Sequence, residues 1–440
     1  MTLAYKVRQL MQAKQYEAAL LYFKNNKVHV NVVDIASNNG LVADIISALR
    51  NTKAFDAAYR FLEIYNIEIN SGTALRLQLS YGWLLYSHYK HMLGIPDSNF
   101  EAIEARVLHI LKLIQHSADS YAATLIANLF RVCAQRQKLL VQPNAQWLIK
   151  LCTSIDVDKL PTECSTIQVE RRGKTTDMEL ASLQELWYSM FSKALYETQQ
   201  YAPCLELCKV ASTKIANMHY DNALWFDRRC AQCLSGLKQN EKAIALYERI
   251  VNQKADWYLK SELAQLYWAV GKQTQAIDIA RKAAASAGPI NFKVELIEQM
   301  GTMLLATNEE VLALKHFFLS KHIRNSEGWK ISHNLSQQIA SCAAQISFEH
   351  TTKEQLIKEL SIYWGFDNNK NDRIVGYIDT LNAATDKGRS GLLKDKNGKK
   401  AYFFIPNFIS LYENLQIGKA YSYTLVSSEK GFKAIKMKAL

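Results

Sequence analysis

A small residue recurs along this chain, followed four positions later by an apolar or aromatic residue. The clearest copies are Ala243 with Tyr247, Ala276 with Ala280 and Ala313 with Phe317. The small residues of these copies are 33 and 37 positions apart. Two helices of a hairpin approach closely only where side chains are small, and larger side chains one turn away fill the space between hairpins. The pattern therefore predicts a stack of helical hairpins.

The amino-acid composition supports helices rather than a turn-rich β architecture. The 440 residues include only 6 Pro and 17 Gly, which together are under half the usual frequency of these two residues. Apolar residues make up 49% of the chain, which is enough to bury a large core and argues against disorder. A chain of this length predicts two to four domains.

Fainter copies of the pattern occur earlier, as Tyr16 with Ala19 and Phe23, Phe55 with Ala58 and Leu62, and Tyr201 with Cys204 and Cys208. The pattern resembles the tetratricopeptide repeat, most clearly over residues 223–318 and more weakly over 184–216 and 4–65. The resemblance implies a mostly α chain built as a solenoid of α-α hairpins, with helical-repeat subdomains at 1–158 and 178–366. It also implies a surface that binds a protein partner.

A polar, charged segment from Lys159 to Asp177 separates the two helical subdomains. It contains both Pro161 and Gly173, which are typical of turns and loops. We therefore predict a surface loop here. Its basic residues Arg171, Arg172 and Lys174 could contact nucleic acid, but exposure to solvent is the favoured interpretation.

After residue 366 the apolar period changes from that of helices to that of strands. Strands are predicted at 373–380, 390–395, 399–405, 419–427 and 431–438. Asn397-Gly398 predicts a hairpin with a type I′ turn, which needs positive φ at both positions. Five strands in about 69 residues are typical of a small closed Greek-key barrel, which we assign to residues 372–440.

Several short motifs in this region resemble the cold-shock domain, a member of the OB-fold class. They are Gly376–Ile378, Gly388–Leu393, Ala401–Ile405, Leu415–Ala420 and Lys430–Ala434. Their order and spacing match the family, and the resemblance implies a barrel that binds single-stranded nucleic acid. Where the family has exposed aromatic residues on its first two strands, this chain has Thr380, Ser390 and Leu392. This departure predicts weaker, more electrostatic binding.

Two aromatic residues of the predicted third strand are candidates for stacking on bases. Tyr402 and Phe404 are two positions apart, so both face one side of the strand. Single-strand binding combines such flat surfaces with cations for the phosphates. The candidate cations are Lys387, Arg389, Lys394, Lys399 and Lys400. The segment 372–440 has twelve Lys and Arg against six acidic residues, half of the net charge of +12.

No catalytic motif for phosphate transfer, metalloprotease or serine hydrolase chemistry occurs in the sequence. The chain is therefore expected to be non-enzymatic, without a cofactor or metal. Four thiols at 204, 208, 230 and 233 could bind zinc, but they fall on packing positions of the repeat, where a small buried residue is favoured. The cysteines are spread along predicted helices and no signal-peptide pattern occurs, so we predict reduced thiols in a cytoplasmic protein. The sequence has no long apolar run, so no membrane partner is expected.

These observations predict an adaptor that binds single-stranded RNA or DNA, RNA being favoured, through the barrel and a protein through the helices. The pairing of the two domain types resembles accessory proteins of bacterial RNA regulation or phage defence. In one alternative the chain is purely a protein scaffold, with Tyr402 and Phe404 packed on the helices and the barrel docking a protein. In another, the helical repeats bind nucleic acid along their groove and the barrel acts as a clamp.

Overall fold

We describe a computed structural model of the chain that covers residues 2–171, 174–343, 352–366, 373–428 and 431–440. The chain divides into two compact units, residues 1–237 and 238–440. Helices make up most of the first unit, and the second combines helices with five strands that close into a barrel at its end. The predicted mostly α chain followed by a small five-stranded barrel is confirmed. No helix in the described part of the chain has the length and apolar character needed to cross a membrane.

The first unit contains twelve α-helices within its described residues. They are α1 (Leu3–Gln12), α2 (Tyr16–Asn26), α3 (Val32–Ser37), α4 (Asn39–Asn51), α5 (Phe55–Ile64), α6 (Leu75–Met92), α7 (Glu101–Ile114), α8 (Ser120–Leu139), α9 (Ala145–Thr153), α10 (Leu183–Glu197), α11 (Tyr201–Lys214) and α12 (Asn222–Gly236). Polar side chains cap the N-terminal ends of several of these helices, where they accept hydrogen bonds from the free backbone N–H groups of the first turn. Asp119 Oδ1, for example, accepts from Tyr121 N at 2.7 Å at the start of α8.

The second unit contains seven α-helices and five strands within its described residues. The helices are α13 (Asn240–Gln253), α14 (Trp257–Ala269), α15 (Gln273–Ala284), α16 (Val294–Ala306), α17 (Glu310–Ser326), α18 (His333–Ala343) and α19 (Lys353–Ser361). A short π-helical segment, Ile362–Phe366, follows α19. The structure places the predicted packing residues Ala276 and Ala313 fully inside. Gly301 of α16 lies against Phe317 of α17, where a Cβ atom would come within 2.5 Å of the ring.

Five helix pairs share one turn geometry. The pairs are α1 with α2, α4 with α5, α10 with α11, α14 with α15, and α16 with α17. In each, one residue between the helices has positive φ, namely Lys14, Lys53, Gln199, Gly271 and Asn308. The next N–H then bonds back to the last turn of the first helix, as Gln15 N does to Leu10 O at 2.9 Å. This left-handed helix end satisfies carbonyls left free by the helix, and its recurrence supports a repeated α-α hairpin.

The predicted loop at 159–177 is wrong over 165–171 and 174–177, which belong to a β-hairpin. Strand β1 (Ser165–Arg171) pairs antiparallel with β2 (Lys174–Leu180), and Ile167 faces Met178 across the ladder. One face of the hairpin carries Ile167, Val169 and Met178, so an apolar-polar alternation was present in the sequence. The charged residues around it, together with Pro161 and Gly173, favoured a loop instead. Arg171 pairs with Lys174 at the end of the ladder, and Arg172 lies outside the described residues.

The barrel consists of β3 (Arg373–Leu381), β4 (Gly388–Asp395), β5 (Lys400–Pro406), β6 (Ala420–Ser428) and β7 (Gly431–Ala439). It closes in the order β3-β4-β5-β7-β6. Only β5 and β7 run parallel among the pairs of described strands, and the other pairs are antiparallel. Its core includes Ile378, Leu393, Phe403, Tyr421 and Tyr423.

The hairpin between β4 and β5 forms as predicted, but its turn type differs. Gly398 has a φ of 80°, whereas Asn397 is not among the positive-φ residues. Asp395 N donates to Lys399 O at 3.0 Å, which closes a three-residue loop rather than a two-residue type I′ turn. The Asp395 carboxylate accepts from the backbone N–H groups of Asn397 and Lys399 and stabilises this loop. The side chain of Asp395 therefore explains the departure.

Candidate nucleic-acid interface

The register of the barrel aligns aromatic and basic side chains across its outer face. Tyr377 of β3 pairs with Lys394 of β4, which pairs with Lys400 of β5. Two residues further along β5, Tyr402 pairs with Leu392 on one side and Lys433 of β7 on the other. These rows bring together residues from four strands, and we call this surface the β3–β5 face.

Alternation along β5 separates the aromatic rings as the sequence predicts. Tyr402 is 40% exposed, while the intervening Phe403 is 1% exposed in the barrel core. Phe404 shares the outward side of β5 but is half-buried. Tyr402 therefore offers an accessible ring on the β3–β5 face, and Phe404 offers a more enclosed one.

Tyr377 is a component of this face that was not among the candidate site residues. It is 53% exposed and lies on β3 between the buried residues Gly376 and Ile378. A side chain flanked by two inward positions must point outward, so the strand alternation contained the signal. The resemblance to the cold-shock domain indicates Thr380 instead, but the register of β3 shifts between Ile378 and Thr380.

An acidic residue lies among the cations of the β3–β5 face. Asp379 Oδ2 is 2.8 Å from Lys400 Nζ. The hydrogen bond from Lys400, and then the charges of Lys400 and Lys394, hold the pKa of the Asp379 carboxyl below its ordinary value. Lys400 is therefore partly neutralised, while Lys394 forms no ion pair within the described residues.

Lys399 contacts an aromatic ring that was also missed as a candidate. Its Nζ lies 3.5 Å from the ring centroid of Phe432, near the start of β7. Phe432 is 39% exposed, so the pair combines a cation with a partly open ring. Phe432 is the second residue of β7 and Lys399 directly precedes β5, so the pair lies at the end of the barrel beside the β4–β5 turn.

The remaining two candidate cations lie at the opposite end of β4 from Lys394. Arg389 Nε donates to the Asn382 carbonyl at 3.1 Å, and Lys387 is exposed in the preceding loop. The five-residue separation of Arg389 from Lys394 along the strand corresponds to about 16 Å. The structure thus divides the predicted cations between two ends of the barrel.

A cleft of about 1600 Å³ lies between the barrel and helices of the second unit. Phe404 and Phe408 line its barrel side. Its basic lining residues are Lys260, Arg281, Lys282, Lys353, Lys358, Lys433, Lys436 and Lys438. Several of these are engaged, since Lys282 pairs with Asp278 at 2.6 Å and Arg281 Nε donates to Tyr363 O at 2.9 Å. Phe404 therefore borders the space between the barrel and these helices, whereas Tyr402 is not among the lining residues.

A buried lysine underlies the Phe408 side of the cleft. Lys293 Nζ donates to the Ala284 carbonyl at 2.9 Å and to that of Ser286, and lies 5.4 Å from the Phe408 ring centroid. Burial, and then the nearby charge of Lys260, lower the pKa of Lys293 to about 7. Lys293 is enclosed and bound to carbonyls, so it is a structural group rather than an open phosphate ligand.

Comparison with known proteins identifies one family, described as a domain of unknown function (DUF7017), that matches residues 224–362. No curated protein matches the chain. Similar solved structures include a human IFIT1 dimer with m7Gppp-AAAA, 13% identical, covering 82% of each chain with a TM-score of 0.33. A monomeric IFIT1 mutant with Gppp-AAAA is 13% identical, covering 77% of this chain and 81% of that one, with a TM-score of 0.33. Naa15/Naa10 bound to HypK-THB is 12% identical, covering 83% and 53%, with a TM-score of 0.31.

Proposed function

We propose that the barrel binds single-stranded nucleic acid on the β3–β5 face. The observation that carries the proposal is the placement of two exposed rings, Tyr377 and Tyr402, next to Lys394 and Lys433. Single-strand binding needs rings for the bases and cations for the phosphates, and a stacked base contributes about 1–3 kcal/mol. The β3–β5 face supplies both kinds of group on one surface.

The spacing of the two rings favours a splayed strand over a continuous base stack. Tyr402 lies two strands away from Tyr377 across the sheet and two residues beyond Lys400, the β5 residue level with Tyr377. The two tyrosine positions are therefore about 12 Å apart. Two bases that each stack on one ring must therefore be turned out separately. Unpaired RNA loops and ends present bases in this way.

RNA is the proposed ligand in preference to DNA, and this choice rests on the resemblance to the cold-shock domain. Fluorescence anisotropy of labelled rU12 and dT12 tests it with the full chain at 50 mM salt. We expect tighter binding of rU12 and a steep loss of affinity between about 50 and 200 mM salt from counterion release. Equal affinities would retain the interface and reject the RNA preference.

We further propose that the helical units bind a protein, which would make the chain an adaptor. Within the first unit, Val28, Val32 and Val33 are all exposed in one short stretch that includes the start of α3. Clustered exposed apolar residues mark protein-interaction sites. Affinity purification with wild type and Val32→Asp/Val33→Asp, compared quantitatively, tests this surface. Partners that bind both equally would place their site elsewhere.

A biological role in bacterial RNA regulation or phage defence follows only from the pairing of the two domain types. We propose that the adaptor acts in one of these two processes. Plating of phage on cells with and without the gene tests the defence role, and transcript profiling of the same cells tests the regulatory role. An unchanged outcome in both would reject this setting and leave the binding proposals intact.

The cleft provides a second candidate surface for nucleic acid. Phe404 and the basic residues of α19, Lys353 and Lys358, line it from opposite sides. If the nucleic acid lies in the cleft, Lys353→Glu/Lys358→Glu abolishes nucleic-acid binding and Tyr377→Ala leaves it unchanged. The proposal for the β3–β5 face predicts the reverse pattern. Absence of any binding by wild type at 50 mM salt would favour the scaffold alternative.

A further inference from the structure

Three different metal-ligating side chains converge at the base of the β1–β2 hairpin. Cys164 immediately precedes β1, Glu179 lies on β2, and His219 lies between α11 and α12. The thiol, one carboxylate oxygen and one imidazole nitrogen all lie within 4.8 Å of one another. The fold therefore brings together residues separated by up to 55 positions in the sequence.

The imidazole of His219 is held in the orientation that a metal ligand requires. Its Nε2 is 2.9 Å from the carbonyl oxygen of Glu179. Because a carbonyl only accepts, Nε2 carries the hydrogen, and Nδ1 of the neutral imidazole presents its lone pair. Nδ1 in turn lies 3.8 Å from Glu179 Oε2, on the side of the cluster. Metal-ligating histidines characteristically donate their other N–H to a carbonyl or carboxylate in this way.

The backbone around His219 is anchored independently of the cluster. His219 N donates to Glu185 Oε1 at 3.0 Å, and Asn222 Nδ2 donates to the same oxygen at 2.6 Å. Glu185 is only 1% exposed. The loop that presents the imidazole is thus fixed on a buried carboxylate, and the side chain of His219 is itself mostly enclosed.

Cys164 differs from every other cysteine of the chain. All eight cysteines lie in the described residues, and the other seven are buried while Cys164 is exposed. Partial desolvation, and then the negative charge of Glu179, raise the pKa of the Cys164 thiol. A bound dication would reverse this effect, since it stabilises the thiolate and offsets the carboxylate.

The four cysteines at 204, 208, 230 and 233 do not form an equivalent site. Their thiols contact one another in pairs, including Cys204 with Cys208 and Cys208 with Cys230. Among the described residues, however, no three of these sulfur atoms lie mutually within 4.8 Å, as a tetrahedral four-sulfur site requires. All four are buried in α11 and α12, where they act as small packing residues.

We propose that Cys164, Glu179 and His219 form a binding site for a divalent transition-metal ion of the zinc class. Sulfur and imidazole donors select such an ion over Mg²⁺ or Ca²⁺, and a tetrahedral ion accepts three protein ligands with a fourth, open position. The ion would join the β1–β2 hairpin to the α11–α12 loop within the first unit. This site is independent of nucleic-acid binding by the barrel.

Titration of the chelator-treated, full-length protein with Co²⁺ tests the site by absorbance. A thiolate ligand gives a near-ultraviolet charge-transfer band, and added Zn²⁺ removes it by competition. We expect Cys164→Ser to lose the band and His219→Ala to weaken Co²⁺ binding roughly tenfold or more. His116→Ala, which changes an exposed histidine outside the cluster, is the matched control and should leave the titration unchanged.

Two results would overturn the proposal. One is the absence of a charge-transfer band in the wild type. The other is a band that persists in Cys164→Ser and disappears in Cys230→Ser, because the buried thiols would then hold the ion. Circular dichroism of each variant establishes that it has folded.

Thiol labelling provides an independent readout that does not need the cobalt spectrum. Cys164 is exposed, so it should react with a thiol reagent faster than the seven buried cysteines, and Zn²⁺ should slow that reaction roughly tenfold or more. Glu179→Gln and His219→Ala should each reduce this protection. Glu179→Gln should also speed the reaction without Zn²⁺, because it removes a charge that raises the pKa of the Cys164 thiol. Labelling at the same rate with and without Zn²⁺ would contradict the proposal.

Discussion

Asp379 and Lys400 form an ion pair on the outer face of the barrel, with 2.8 Å between Oδ2 and Nζ. Lys400 lies in the row of Tyr377 and Lys394, and Asp379 lies at the register shift of β3, two residues from Tyr377. The pair therefore places one negative charge within a surface that we propose binds phosphates. The acid restrains Lys400 and lowers the positive potential of the face.

Replacing this acid should strengthen nucleic-acid binding. Asp379→Asn releases Lys400 and removes one repulsive charge, so we expect affinity for rU12 to rise by about two- to fivefold at 50 mM salt. Anisotropy titrations measure the change. Glu17→Gln on α2 changes net charge equally outside the barrel and serves as the control. If both variants bind alike, the β3–β5 face does not contact the strand.

A buried histidine should make the second unit sensitive to acid. His316 is fully buried, and its Nε2 accepts from Trp364 Nε1 at 3.0 Å while its Nδ1 donates to Leu312 O at 2.7 Å. Burial lowers the pKa of His316 to about 4, even though the bond to Leu312 opposes this. The folded state therefore favours neutral His316, and its contribution is complete above the unfolded pKa near 6.5 and is lost as pH falls toward 4.

Urea unfolding at pH 7 and pH 4.5 measures this effect. Neutral His316 contributes about 3 kcal/mol in total to the free energy of unfolding. Part of this contribution should be lost between pH 7 and pH 4.5. His316→Gln cannot titrate, so it should lose less stability on acidification than the wild type, whatever its stability at pH 7. An identical pH dependence for the two proteins would show that His316 does not control it.

The close contact between α16 and α17 predicts an unusual response to a glycine substitution. Alanine normally stabilises a helix by about 1 kcal/mol over glycine. At Gly301, however, the new Cβ would come within 2.5 Å of Phe317, and overpacking costs about 1–3 kcal/mol. We therefore expect Gly301→Ala to lower the thermal unfolding midpoint, and Phe317→Leu to restore part of it in the double variant.

Gly40→Ala is the control for this experiment. A Cβ at Gly40 would meet only the tips of the Arg76 and Asn38 side chains, at 3.3 and 3.4 Å. Both distances are close to ordinary van der Waals contact, so Gly40→Ala should leave the midpoint unchanged or raise it. An increase in the midpoint for Gly301→Ala would contradict the packing of this hairpin.

Local periodicity predicted the features that depend on local geometry. Ala276 and Ala313 are buried at helix contacts, and the alternation along β5 separates Tyr402 from Phe403. The hairpin turns were less visible, because Lys14 and Lys53 adopt the positive φ usually supplied by glycine. Neighbouring helices fix that conformation, so residue type alone does not indicate it.

The remaining features depend on tertiary contacts. Cys164 and His219 lie 55 positions apart, and no spacing rule connects them. The β1–β2 hairpin that brings Glu179 to them alternates apolar and polar residues over only a few positions, and the charged residues with Pro161 and Gly173 around them favoured a loop. Phe404 follows the predicted alternation, but its position in the cleft depends on how the barrel packs within the second unit.

The central claim is that exposed rings on the β3–β5 face bind single-stranded nucleic acid, and one anisotropy experiment tests it most directly. Labelled rU12 is titrated with the wild type, Tyr377→Ala/Tyr402→Ala and Tyr121→Ala, the last removing an exposed tyrosine of α8. Loss of base stacking should weaken binding by the double variant about tenfold or more, with Tyr121→Ala unchanged. Equal binding by the double variant and the wild type would contradict the claim.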